Sequence, residues 1–165
     1  MNFKNIEVVR IFLIHEAEKI DDIMKATLWL TKDAREGEKQ FRAAVFNVLS
    51  HNRDDHAKNF SFLLGNKNQW QVSPAYDLTF SSGPNGEHCS MVFSEGKNPT
   101  LTHFLKLAEV GGIKKKKALQ IIDEVRGAVA KWEVYAKNFD VSAASCKMIS
   151  AALEQVEKAA FIKQK

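Results

Sequence analysis

Only two of the 165 residues are cysteines, Cys89 and Cys146, and they lie far apart in the chain. Two thiols are too few for a Cys-rich zinc site or a disulfide framework, which points to a reducing, cytoplasmic setting. No apolar run approaches the roughly 18–20 residues that a membrane span requires. The longest candidate, Val8–Ile14, is broken by Arg10. The N-terminus carries Glu7, Arg10 and Glu16 and has no small-residue cleavage site, which excludes a secretory signal. Internal repeats are also missing. What remains, 45% hydrophobic and 27% charged residues, is the composition of a soluble globular chain, sized for one domain or one lobe of something larger.

Glycine and proline are scarce except in the middle. All three prolines and six of the eight glycines fall between residues 65 and 112, so the layout is helical block, irregular middle, helical block. Charge is uneven too. Residues 1–112 hold 13 Lys and Arg against 14 Asp and Glu, whereas residues 113–165 hold 11 against 6, led by the run Lys114–Lys117. That run has no aromatic or arginine interleaving, so it reads as a solvated helix face before it reads as a nucleic-acid contact. Direct DNA contact would predict affinity that collapses with salt and shows little sequence preference.

The first block predicts helices over about Asp21–Thr31 and Arg35–Ser50. In the second, Phe41, Val45, Val48 and Leu49 share one face, and Asp33, Glu36 and Glu38 supply negative charge near its start. Gly37 interrupts this helix at a cost of about 1 kcal/mol relative to alanine, through either a local packing need or relaxed selection. Asn59–Leu64 and Gln69–Val72 read as short strands around a Gly65-Asn66-Lys67-Asn68 turn. In the last block, Thr100 or Thr102 caps a helix that Gly111-Gly112 closes. Ile121, Val125, Val129 and Trp132 mark a second helix, and Ile149, Leu153, Val156 and Ala160 a third; these stripes read as core.

The residues that carry chemistry are Asp54, Asn59 and Asp77. Asp54 and Asn59 lie five apart on a polar loop leading into a strand, and Asp77 follows a short hairpin and Pro74. This order is similar to the protein-kinase pattern of an Arg-Asp pair, an Asn at the same offset, and a later metal-binding Asp; here Arg53-Asp54 and Asp77-Leu78-Thr79 stand in those places. Phosphoryl transfer requires a nucleophile held in line and phosphate charge neutralised. A carboxylate such as Asp54 suits the orientation of an attacking hydroxyl and the acceptance of its proton. Mg²⁺ is a hard cation that takes oxygen ligands, a role suited to Asn59 and Asp77. Arg53 suits pairing with an acidic or phosphorylated group in the following loop. A zinc cluster of Asp54, Asp55 and His56 is disfavoured, because His51 and His56 would not share a helical face and no third histidine is close in sequence. His88 reads as a plain loop residue.

A longer string is more specific. Phe46-Asn47-Val48-Leu49, Asn52-Arg53-Asp54-Asp55-His56-Ala57-Lys58-Asn59-Phe60-Ser61-Phe62 and Ser73-Pro74-Ala75-Tyr76-Asp77-Leu78 resemble the C-terminal domain of HipA-like serine/threonine-protein kinases, the toxins of bacterial toxin–antitoxin modules. Gly83–His88 and Gly96–Thr100 extend the likeness, which covers roughly residues 21–160. The resemblance implies a mainly α fold with a small β-hairpin, the large C-terminal lobe of a protein-kinase-like fold. Residues 1–20 are then a poorly matching leader and residues 21–165 the lobe. It implies Asp54 as catalytic aspartate and Asn59 and Asp77 as magnesium ligands, with Arg53, His56 and Lys58 supporting the loop. It also implies ATP and Mg²⁺ as cofactors and a protein substrate of the aminoacyl-tRNA synthetase type. The implied partner is a HipB-like helix-turn-helix antitoxin, through which DNA would be reached.

A kinase also uses a Gly-rich loop over the phosphates and a strand lysine, and no Gly-rich triplet occurs before residue 65. The expectation is therefore that the nucleotide-binding lobe is missing and that this chain alone transfers phosphate poorly. Either a separately encoded lobe completes the enzyme, or the chain is a remnant. A reading from another class is a catalytically inactive helical interaction module, contacting an antitoxin or partner protein through the loop Phe80–Thr100.

Overall fold

The computed structural model describes residues 7–9 and 19–161. The expected leader over residues 1–20 otherwise lies outside the described residues. The fold is mainly helical with a small antiparallel sheet: β1 (Glu7–Val9), α1 (Ile20–Thr31), α2 (Ala34–Leu49), β2 (Phe62–Leu64), β3 (Trp70–Val72), α3 (Leu101–Val110), α4 (Lys115–Val129), α5 (Trp132–Asn138) and α6 (Ala143–Phe161). No described helix is long and apolar enough to cross a membrane.

The core follows from the helical stripes. Phe41, Val45, Val48 and Leu49 of α2 are buried against Ile23 and Met24 of α1, Phe104 and Leu107 of α3, and Ile121, Ile122 and Val125 of α4. Asp33 caps α2, its carboxylate accepting the main-chain N–H of Arg35 at 2.9 Å. The Arg35 guanidinium beside it holds that carboxyl down to about 2. Gly37 sits where α1 and α2 meet: a Cβ there would lie 3.0 Å from Leu28 Cδ2, so the leucine side chain would have to give way to it. Glu36, expected to serve helix-end charge, is buried, and its Oε2 accepts the main-chain N–H of Val72 at 2.8 Å. It thereby ties α2 to the sheet.

Thr100 caps α3 in a reciprocal box with His103. The second stripe of the last block does not run through as one helix: the chain breaks after Val129, and Trp132 begins α5. The third stripe is only partly core, for Ala160 is buried while Ile149, Leu153 and Val156 are half-buried.

The hairpin is present, and β1 adds a third strand to its β2 edge, giving the order β1-β2-β3. β2 starts later than expected, because Ala57–Asn59 forms a 3₁₀ turn. The register sets Phe62 opposite Val72 and Leu64 opposite Trp70. It continues past the strands: Ser73 N–H donates to the Ser61 carbonyl at 2.9 Å, and the Tyr76 hydroxyl donates to the Lys58 carbonyl at 2.7 Å. The hairpin therefore returns the Asp77 segment to the side of the Asp54–Asn59 loop.

Candidate phosphotransfer loop

The loop begins where α2 ends. His51 adopts left-handed backbone at φ 57°, turning the chain sharply, and Asn52 is locked to the last turn of α2. Its main-chain N–H donates to the Asn47 carbonyl at 2.9 Å and its Nδ2 to Asn47 Oδ1 at 3.1 Å. The segment after Asp77 flanks this turn. The Ser81 carbonyl accepts from Arg53 N–H at 3.3 Å, and Phe80 stacks on the His51 ring with centroids 4.9 Å apart. Burial, with the nearby Arg53 charge, pushes the His51 pKa below its ordinary value.

Asp54 and Asp55 point to different environments. The Asp54 side chain is 52% exposed; His56 Nε2 stands 3.9 Å and Cys89 Sγ 4.0 Å from its Oδ1. Burial and the two carboxylates Asp55 and Asp54 push the Cys89 thiol up, so it stays protonated at neutral pH. Asp55 is buried and fully engaged. Its Oδ2 lies 2.9 Å from His88 Nδ1, its Oδ1 accepts the Ser90 N–H at 3.1 Å, and its carbonyl accepts the Ser90 hydroxyl at 2.6 Å. His88 is thus no plain loop histidine but the buried partner of Asp55, at 4% exposure. Their 33-residue separation hid the pair from sequence reading.

Among the described residues Arg53 meets no acidic group. Its Nη1 donates to the Gly86 carbonyl at 2.6 Å and its Nη2 to the Lys97 carbonyl at 3.1 Å. The loop bends back so that main-chain oxygens, rather than carboxylates, face the guanidinium fork. Burial lowers the Arg53 pKa from its ordinary value. Gly83, at φ 66°, permits this approach: a Cβ there would meet the Glu87 carbonyl oxygen at 2.1 Å and Arg53 Cβ at 2.6 Å.

Asn59 closes the 3₁₀ turn through its N–H to the His56 carbonyl at 2.9 Å, while its Nδ2 donates to the Asp54 carbonyl at 2.9 Å. With the amide nitrogen so engaged, Oδ1 is the atom left to serve a hard cation. Lys58 is exposed and contributes its carbonyl to Tyr76. Asp77 is exposed and adopts left-handed backbone at φ 54°. Asp54, His56 and Asn59 are thus gathered in one loop, and the Tyr76–Lys58 bond brings the Asp77 segment beside it. No hydrogen bond or ion pair among the described residues joins Asp77 to Asp54 or Asn59. Among the described residues no three His, Cys, Asp or Glu side chains gather to hold a metal ion. An amide oxygen and exposed carboxylates are hard oxygen donors, a chemistry that suits Mg²⁺ better than zinc.

No curated protein matches this chain. The loop, the hairpin and the pinned segment after it all fall within residues 8–132, which match the family described as the HipA-like C-terminal domain, and the chain belongs to that family.

Proposed function

We propose that this chain supplies the catalytic loop of a HipA-like serine/threonine-protein kinase, the large lobe of a kinase-like fold. In this reading Asp54 orients the substrate hydroxyl and accepts its proton, and Asn59 Oδ1 and Asp77 hold Mg²⁺ bound to ATP. When bound, that cation neutralises charge on the phosphates. Asp54 suits its role because it is half exposed and approachable, while its neighbour Asp55 is used up in holding the fold. Arg53, His56 and Lys58 position the loop. The observation that carries the reading is the hydrogen bond from Asn59 to the Asp54 carbonyl, which couples the proposed cation ligand to the proposed base.

The substrate would be a protein hydroxyl, of the aminoacyl-tRNA synthetase type if the family resemblance extends to targets. A HipB-like antitoxin would be the regulatory partner and the route to DNA. A nucleotide-covering lobe would complete the enzyme. The test is Mg²⁺-dependent ATP binding, followed by transfer of labelled phosphate by the chain together with such a lobe. Asp54→Ala should abolish transfer but leave ATP binding in place. Absent ATP binding with retained binding of an antitoxin would replace this reading by that of an inactive interaction module.

A further inference from the structure

Among the described residues no side chain comes close enough to the Asp54 carboxylate to aim it. His56 Nε2 stands 3.9 Å and Cys89 Sγ 4.0 Å from Oδ1, beyond the range of a firm hydrogen bond to oxygen. The direction of the carboxylate therefore depends on the main chain that carries it. That main chain is held carbonyl by carbonyl. Cys89 N–H donates to the Arg53 carbonyl at 3.1 Å, and the Ser90 hydroxyl donates to the Asp55 carbonyl at 2.6 Å. Between them, the Asp54 carbonyl is taken by Asn59.

Two of these three donors come from one short segment, residues 88–90. His88 clamps it to the loop: its Nδ1 lies 2.9 Å from Asp55 Oδ2, with both residues 4% exposed, while Ser90 N–H fills Oδ1 at 3.1 Å. An ionised carboxylate only accepts, so the proton between them sits on Nδ1. The segment is fixed from behind as well. His88 N–H donates to the Gly96 carbonyl at 2.8 Å, Val92 is buried in the core, and the Met91 carbonyl accepts the N–H of Ile20 at the start of α1 at 3.0 Å. A buried ionic pair is a weak source of stability but a good device for fixing one arrangement of chain. We propose that His88 and Ser90 are positioning residues for Asp54, holding residues 53–55 through Asp55 in the conformation that aims the Asp54 carboxylate at the substrate hydroxyl. A displacement of about 1 Å at reacting groups costs on the order of 10²-fold in rate, so the brace acts on the rate without touching ATP or substrate. The inference rests on the kinase reading and adds to it that residues 33 and 35 positions further along the chain govern the proposed base.

The test measures transfer of labelled phosphate by the chain assembled with a nucleotide-covering lobe, reading kcat and the KM for ATP separately, beside the Tm of each variant. His88→Leu removes the donor and should lower kcat by about tenfold or more while the KM for ATP stays within about twofold. His88→Asn offers an amide N–H in place of Nδ1 and should regain most of that loss. Ser90→Ala, which deletes one hydroxyl, should also lower kcat, and it decides the matter where His88→Leu does not fold. Ile122→Val, a substitution in the buried face of α4, is the control for lost stability: its Tm should fall and its kcat should not. Unchanged kcat in His88→Leu, or in Ser90→Ala where the former does not fold, would overturn the proposal while leaving the kinase reading in place. So would a His88→Asn variant no faster than His88→Leu, or a control whose kcat falls in step with its Tm. A wild-type assembly that transfers no phosphate would overturn the kinase reading and this one together, which keeps the two failures apart.

Discussion

Asn59 donates its side-chain N–H to the main-chain carbonyl of Asp54, five residues earlier, at 2.9 Å. The bond makes a single unit of the loop, joining the residue proposed to hold the cation to the main chain of the residue proposed to orient the substrate hydroxyl. Asn59→Asp removes the donor and sets a carboxylate against a carbonyl oxygen. The expected loss of stability is about 1 kcal/mol, read by urea denaturation. Phosphoryl transfer by the assembled kinase should fall by about 10²-fold or more, because the loop shifts. A variant with unchanged transfer would separate Asn59 from the chemistry.

Adjacent aspartates should fail in opposite ways. Asp55 is buried on His88 and Ser90, so Asp55→Ala leaves a buried imidazole and an N–H without partners and should cost about 3 kcal/mol or more. Asp54 is half exposed, and Asp54→Ala should change stability by less than about 0.5 kcal/mol while removing phosphoryl transfer. Thermal unfolding of both variants, set beside transfer assays, checks the contrast. A stability loss shared equally by the two would contradict it.

How much of this was legible beforehand depends on how local the determinant is. The bounds of α1 and α2, the hairpin turn and the Thr100 cap follow from capping residues and from periods of a few residues, and the structure repeats them within a residue or two. The break between α4 and α5 was not legible, since Ala128-Val129-Ala130-Lys131 contains neither glycine nor proline. Nor was the burial of Glu36, whose partner Val72 lies on a strand 36 residues away. In the candidate site, the order Asp54, Asn59, Asp77 is written in the sequence. The roles of Arg53 and Asp55 are not, because their partners at Gly86, Lys97, His88 and Ser90 come from a long loop without periodicity. Only the clustering of Gly83 and Gly86 hinted that this loop approaches something closely.

The guanidinium of Arg53 holds that loop by two carbonyls at once. Lysine preserves the charge but not the planar fork, so Arg53→Lys should lose about 1.5–3 kcal/mol of the local hold. Hydrogen exchange should quicken at Gly86–Lys97, and limited proteolysis should cut there first. Gly83→Ala should release the same segment through steric conflict with Arg53 and Glu87. If exchange quickened no more there than elsewhere in either variant, the loop would be held by other contacts.

His51 gives the chain a pH response of definite sign. Its ring is half-buried, stacked on Phe80, with Nδ1 3.0 Å from the Ser81 carbonyl, and burial first, then the Arg53 guanidinium, opposes its protonation. The folded state therefore binds the His51 proton less tightly than the unfolded chain, whose imidazole has a pKa of about 6.5. The corresponding stability is present above that value and is lost as pH falls through the lower, folded pKa. His51→Asn tolerates the left-handed backbone and has no group that titrates in this range. Its Tm should fall less than that of the wild type between about pH 7.5 and pH 5. The difference between the two Tm profiles reads the contribution of His51. Parallel profiles would mean that the ring charges in place at no cost to the fold.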